Sequence, residues 1–270
     1  MSMMVPQKFS TYVLDRESVT VEELVRELDL KELTVRNYLS RMKREGLLRR
    51  VGRGRYTVSH GAHSTPEVPE ALERILSIIS QEFPQLSPVA WSSSMLSEYM
   101  HNVPGRDLYV IDAPRNAVDR LADYLAARDI LVFKDPGSDP LDAFAWSSLE
   151  AVFLFSKGET VASFPLDRYR VAMVDRIWVD LYFLCTRREL AFPLAELGVV
   201  LTNGYRSGVF SVDRMLMYSS RRGLRSEVLL ILLELGKAYP NLGTLRDILP
   251  YGERALEWIE QVVIGASEGW

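Results

Sequence analysis

The chain is poor in cysteine: Cys185 is the only one among 270 residues. A single thiol excludes an intrachain disulfide and a zinc site built on paired cysteines, and it suits a reducing compartment. Long apolar runs are also missing. The longest, such as VLLILLELG at 228–236, fall far short of the roughly 20 residues that a membrane helix needs. The start, MSMMVPQKFS, lacks the apolar stretch of a secretory signal. These absences predict a cytoplasmic protein with no membrane partner. There is no internal repeat and no low-complexity tract. No Gly-x-Ser-x-Gly elbow surrounds Ser92, Ser93 or Ser94, and no glycine-rich phosphate loop of the usual spacing occurs. In GSDPLD (137–142) the acids follow the Gly-Ser at once, in a loop. A nucleotidyltransferase magnesium site needs them about ten residues later, on a strand. His60 and His63 have no third ligand nearby. Neither a metal nor a cofactor is expected.

A basic excess is lacking overall: 32 Lys/Arg stand against 36 Asp/Glu, with a net charge of −4 and a pI near 5.6. That excludes a uniformly basic nucleic-acid coat. The deficit is uneven, however. Residues 31–58 hold nine Lys/Arg against two Asp/Glu, whereas residues 64–270 hold 20 against 28. A short basic module on an acidic body suggests one part that meets polyanions and one that does not.

Residues 5–16 predict a helix with Phe9 and Val13 inward. A second helix opens at Thr20, with Glu23 at capping-box spacing and an apolar stripe of Val21, Leu24, Val25 and Leu28. A third, about 32–45, ends at Gly46. The second and third form a helix–turn–helix pattern. On the third helix Val35, Tyr38, Leu39 and Met42 share the packing face. Arg36, Asn37, Ser40 and Arg44 lie opposite, with Thr34, Arg41 and Lys43 at the margins. Such guanidinium, amide and hydroxyl donors suit phosphates and base edges; a solvated charged face is the alternative for an isolated helix. LLRRVGRGRYTV (47–58) then alternates around Gly52-Arg53-Gly54, as a basic hairpin. Arg53 and Arg55 share a face suited to phosphate or minor-groove contact. Leu48, Val51, Tyr56 and Val58 are expected to anchor the hairpin. Helix–turn–helix plus hairpin is the layout of a DNA-binding winged helix, over residues 1–60.

SHGAHSTPEVPEAL (59–72) reads as the linker, centred on 61–70, and 71–270 as an α+β domain. Strands are expected at 88–93, 107–113, 129–135, 150–156 and 160–165. Helices are expected at 67–82, 115–128, 171–187, 193–203, 211–222, 224–238 and 252–264. Glu98 and His101, at i and i+3, form either an acid–base pair or a merely exposed or packed one. Arg221 and Arg222 close a helix, where cations suit the dipole. The tail, 236–270, caps the domain or mediates self-association.

The ordered strings WSSSMLSEYMHNVPGRDLYVIDA (91–113), VDRIWVDLYF (174–183) and MLMYSSRRG (215–223), behind the basic module, carry a resemblance. Over about residues 8–235 the chain resembles the AbiEi-like antitoxins of abortive-infection toxin–antitoxin systems. It departs from that pattern at Asp175-Arg176, where Glu-Lys would stand, keeping the charges. The resemblance implies a regulator that binds double-stranded promoter DNA and represses its own operon. It also implies a C-terminal domain that counteracts a nucleotidyltransferase-type toxin, directly or indirectly, without catalysis of its own. Any antitoxicity or ligand site in that domain would be sought first at Trp91, Glu98, His101, Asp175, Asp180 and Arg222; Trp91 and Asp180 also fit a core or ion-pair role. Two rivals stand beside this reading. One is a ligand-responsive regulator with a small-molecule pocket. The other is an enzyme acting on the toxin or a nucleic acid through carboxylates near Glu98 or Asp175.

Overall fold

The computed structural model describes residues 5–44, 47–52, 54–58, 67–103, 105–137, 151–166 and 168–238. Arg53, His60, His63, the 61–66 part of the linker, most of GSDPLD and the helix expected at 252–264 lie outside them, as does most of the tail.

The N-terminal unit holds α1 (Gln7–Leu14), β1 (Ser18–Thr20), α2 (Val21–Leu28), α3 (Glu32–Arg44), β2 (Leu48–Gly52) and β3 (Arg55–Val58). Helix α2 starts where the spacing predicts: the Glu23 N–H donates to Thr20 Oγ1 at 3.2 Å, and the Thr20 N–H donates to Glu23 Oε2 at 3.4 Å. Asp29 stops it in a left-handed conformation, and Leu30 and Lys31 lead into α3. Val35, Tyr38, Leu39 and Met42 are buried against Phe9, Val13 and Leu24, with Phe9 edge-on to Tyr38 at 5.0 Å. The three short strands pair antiparallel in the order β1-β3-β2. Sequence periodicity does not disclose β1, which is too short to show alternation.

One anchoring expectation fails. Leu48, Tyr56 and Val58 pack inward, but Val51 is 49% exposed. Pairing runs Leu48 with Val58 and Arg50 with Tyr56, then shifts so that Gly52 opposes Arg55. The extra residue of this irregularity is Val51, and a one-residue insertion reverses the alternation on which inward placement depends.

The body is built on α4 (Glu70–Glu82), β4 (Val89–Ser92), a 3-10 helix (Ser93–Tyr99), β5 (Tyr109–Asp112), α5 (Arg115–Ala126), β6 (Leu131–Lys134), β7 (Ala151–Phe155), β8 (Ser163–Leu166) and β9 (Tyr169–Ala172). It continues through α6 (Val174–Arg187), α7 (Leu194–Arg206), α8 (Val212–Arg222) and α9 (Arg225–Ala238). Six strands form one mixed sheet in the order β6-β7-β5-β4-β9-β8. Strands β5, β6 and β7 run parallel, β4 is antiparallel to β5 and parallel to β9, and β8 returns antiparallel to β9. Every residue of β4, β5, β7 and β9 is buried, as in strands covered on both faces; β7 is wholly apolar, while β4, β5 and β9 each carry one buried polar or charged residue, Ser92, Asp112 and Arg170. The architecture is mixed α+β, as expected.

The helix expected from 171 is wrong at its start. Residues 169–172 form strand β9, and α6 begins at Val174. A continuous apolar run such as VAMV carries no period, so the strand–helix boundary is invisible until the sheet claims Arg170 and Val171 as partners of Val89 and Ala90. Met173, between β9 and α6, is buried in the N-terminal core, and Phe164 of β8 packs on it too. The small unit and the body therefore share apolar contact.

Candidate nucleic-acid interface and a buried charge network

On α3, Arg36, Asn37, Ser40 and Lys43 are exposed, and Thr34 and Arg41 are half-buried. Arg44 ends the helix, and its side chain lies outside the description. Arg36 is tethered on its own helix: Nε and Nη2 both lie 2.7 Å from Glu32 Oε1. On the hairpin, Arg55 is exposed and pairs across to Gly52 and Thr20. Arg50 is exposed as well, its Nε donating to the Gly52 carbonyl at 3.1 Å. Helix α3 and the hairpin thus each carry donors that are open to solvent: guanidinium, amide and hydroxyl groups on α3, and the guanidinium groups of Arg50 and Arg55 on the hairpin. On α3, Glu32 is an acid set against them.

In the body, charge goes inward. Asp112 ends β5, and Arg176 of α6 ion-pairs with it; both side chains are fully buried. Arg176 Nη1 also donates to the carbonyls of Glu159 at 2.6 Å and Val161 at 3.0 Å, and its Nε lies 3.6 Å from Asp180 Oδ2. One turn along α6, Asp180 accepts from Tyr218 Oη at 2.8 and 3.0 Å and from Arg222 Nε at 2.5 Å. The Arg222 side chain is only 3% exposed, with its guanidinium 5.0 Å from the Phe183 ring centre. Lys157 lies 5.6 Å from the same ring. A second buried pair joins Asp175 to Arg214, Nε to Oδ2 at 2.6 Å, and Asp175 also accepts from the Ser211 N–H.

Burial sets the electrostatics here. It raises the Asp112 carboxyl above its ordinary value, while Arg176 pulls it back. Asp175 is raised for the same reason against Arg214, and the Tyr218 phenol is pushed well up. For Arg222, burial works against the charge, but Asp180, Tyr218 and Asp112 outweigh it and raise the pKa. Lys157 is lowered by burial and by Arg222. Cys185 is pushed up to about 12 by burial, which keeps the thiol protonated and inert.

Of the six body residues singled out from sequence, only Asp180 and Arg222 meet. Arg222 does not merely cap a helix end: it turns inward, because Asp180 offers a desolvated carboxylate that needs a cation. Asp175 belongs to the separate Arg214 pair. Trp91 lies wholly in the core. Glu98 and His101 are exposed, and the His101 N–H donates to Glu196 instead. Ser93 and Ser94 hydrogen-bond Asp107 through both hydroxyls at 2.8 and 2.6 Å, which binds the start of the 3-10 helix to the strand that follows. Asp112, Arg176 and Tyr218 are candidate-site residues that the sequence does not single out. Their signal was a charged residue at the end of YVID or inside VDRIWVD, and a tyrosine four residues before Arg222.

A family model described as "Family of unknown function (DUF6577)" matches residues 34–237, more than half of the chain. The chain belongs to the DUF6577 family. No curated protein matches it. The DUF6577 match starts within α3 and ends within α9. It therefore takes in the exposed donors of α3, the hairpin and the whole buried network, and leaves α1, β1 and α2 before it.

Proposed function

We propose that this DUF6577 protein is a DNA-binding autorepressor and antitoxin. Its N-terminal unit acts as a winged helix: α2 and α3 form the helix–turn–helix, and β2 and β3 form the wing. Helix α3 enters the major groove with Arg36, Asn37 and Ser40 toward base edges and phosphates, flanked by Thr34 and Arg41. Arg55 follows the backbone or minor groove. The observation that carries this is the exposed donor face of α3 beside a basic antiparallel hairpin, on a chain whose remainder is acidic. The body counteracts a nucleotidyltransferase-type toxin without catalysis of its own; the resemblance of its ordered strings to AbiEi-like antitoxins supports that role.

A mobility-shift titration on the DNA upstream of the protein's own gene tests the DNA role. Arg36→Ala/Asn37→Ala/Arg55→Ala should abolish the specific complex while the protein stays folded. Log affinity should fall with log salt by roughly 0.9 per phosphate contacted. Binding that survives the triple substitution would reject this face. Co-expression with the toxin encoded beside it tests the antitoxin role: growth should be rescued by the full chain, and also by the triple variant.

A further inference from the structure

Helix α5 ends in a Schellman turn. The Asp129 N–H donates to the Ala126 carbonyl at 3.1 Å, and the Ile130 N–H donates to the Leu125 carbonyl at 3.2 Å. The residue that must go left-handed is Asp129, at φ 59°. Glycine usually fills this place, because a Cβ is strained there. Aspartate is among the few residues with a side chain that tolerate it, and at this corner Asp129 is exposed.

Asp129 lines a partly enclosed cavity of about 270 Å³ under the start of β5 and β7. Ile75, Ile78, Ile130 and Val152 supply apolar walls, and Arg128 stands beside Asp129 at the same cavity. The Arg128 guanidinium is fixed by stacking 3.5 Å over the Tyr124 ring and by donating one N–H to the Tyr124 carbonyl at 3.1 Å. The two neighbours carry opposite charges yet form no ion pair with each other, nor with any other described residue. Arg74 also borders the cavity and is engaged in contacts of its own.

The geometry points to a binding site for a small zwitterion with an aliphatic body, the chemistry of an apolar α-amino acid. Arg128 receives the carboxylate through its free guanidinium edge, Asp129 receives the ammonium, and the isoleucines and Val152 enclose the side chain. A guanidinium matches a carboxylate in plane and charge. The volume lies just below the about 300–1,000 Å³ of sites for drug-sized ligands, which suits a metabolite of this size. This site is independent of the DNA role proposed above.

Calorimetric titration of the full chain with L-leucine, L-isoleucine, L-valine and L-methionine tests it, beside 4-methylpentanoate, which lacks the ammonium, and 3-methylbutylamine, which lacks the carboxylate. At least one amino acid should bind saturably, one per chain, and more tightly than either analogue. Arg128→Gln and Asp129→Gly should each weaken it by roughly tenfold or more, the loss of one charge-assisted hydrogen bond. Asp129→Gly should at the same time raise the melting temperature, since glycine relieves the left-handed strain; this separates lost recognition from lost folding. Absence of saturable binding by all four amino acids below about 10 mM would overturn the site. So would equal binding of 4-methylpentanoate, or unchanged affinity in both variants.

Discussion

Arg222, the last residue of α8, donates to Asp180 of α6 across a separation of 42 residues in the chain, both side chains being almost wholly shielded from water. Two charges in this position attract strongly but were costly to desolvate, so the pair matters most when half of it is removed. Arg222→Gln leaves Asp180 with Tyr218 and the more distant Arg176. It should cost about 3–5 kcal/mol in denaturant unfolding. The double change Arg222→Met/Asp180→Leu should regain much of that loss. If the single and double variants are equally destabilised, packing rather than charge is what Arg222 supplies.

Asp112 brings the opposite sign of pH dependence from ordinary acid denaturation. Its native pKa is raised, chiefly by burial, so the folded chain holds that proton more tightly than the unfolded one. Its favourable contribution is complete below the unfolded value near about 3.9 and is lost as pH rises through the raised native value. Asp112→Asn has no such titration. The stability of the wild type minus that of the variant should therefore decline from about pH 4 upward and then level off. Denaturant melts across that range check this; a difference that climbs with pH would refute it.

On the proposed DNA-binding role, Glu32 would compete with DNA for Arg36. Glu32→Gln releases the guanidinium and removes a negative charge from the α3 face. Promoter affinity should rise severalfold at low salt, roughly one more phosphate contact, and the gain should shrink as salt increases. Stability should change by less than about 1 kcal/mol, because the pair is exposed. A mobility-shift series at several salt concentrations makes the measurement.

Gly204→Ala should destabilise the body although alanine is the better helix former. A Cβ at Gly204, in α7, would overlap the ring of Phe210, which is 1% exposed in the core. Overpacking of this kind costs about 1–3 kcal/mol, more than the roughly 1 kcal/mol that alanine gains in helix propensity. Thermal melts of Gly204→Ala and Gly204→Ala/Phe210→Leu resolve the two effects, and the second should recover stability.

Much of the fold was legible because it is local. The buried face of α3 followed from apolar residues at helical spacing, the start of α2 from Thr20 and Glu23, and the central strands from short apolar runs such as YVID. The basic excess in 31–58 was likewise a property of composition. What escaped depends on partners remote in the chain. Strand β9 exists because β4 pairs with it, and Val51 turns outward because the hairpin register shifts. Asp112 meets Arg176 across 64 residues, and Asp175 meets Arg214 across 39. A charge set within an apolar run, as in YVID or VDRIWVD, hints at burial but does not tell which remote residue neutralises it. Sequence by itself determined where chain segments bury apolar surface, since periodicity and hydrophobicity act over a few residues. Only the tertiary structure decided which charges lie inside, because a buried ion is tolerated solely where the fold brings its counter-ion to it.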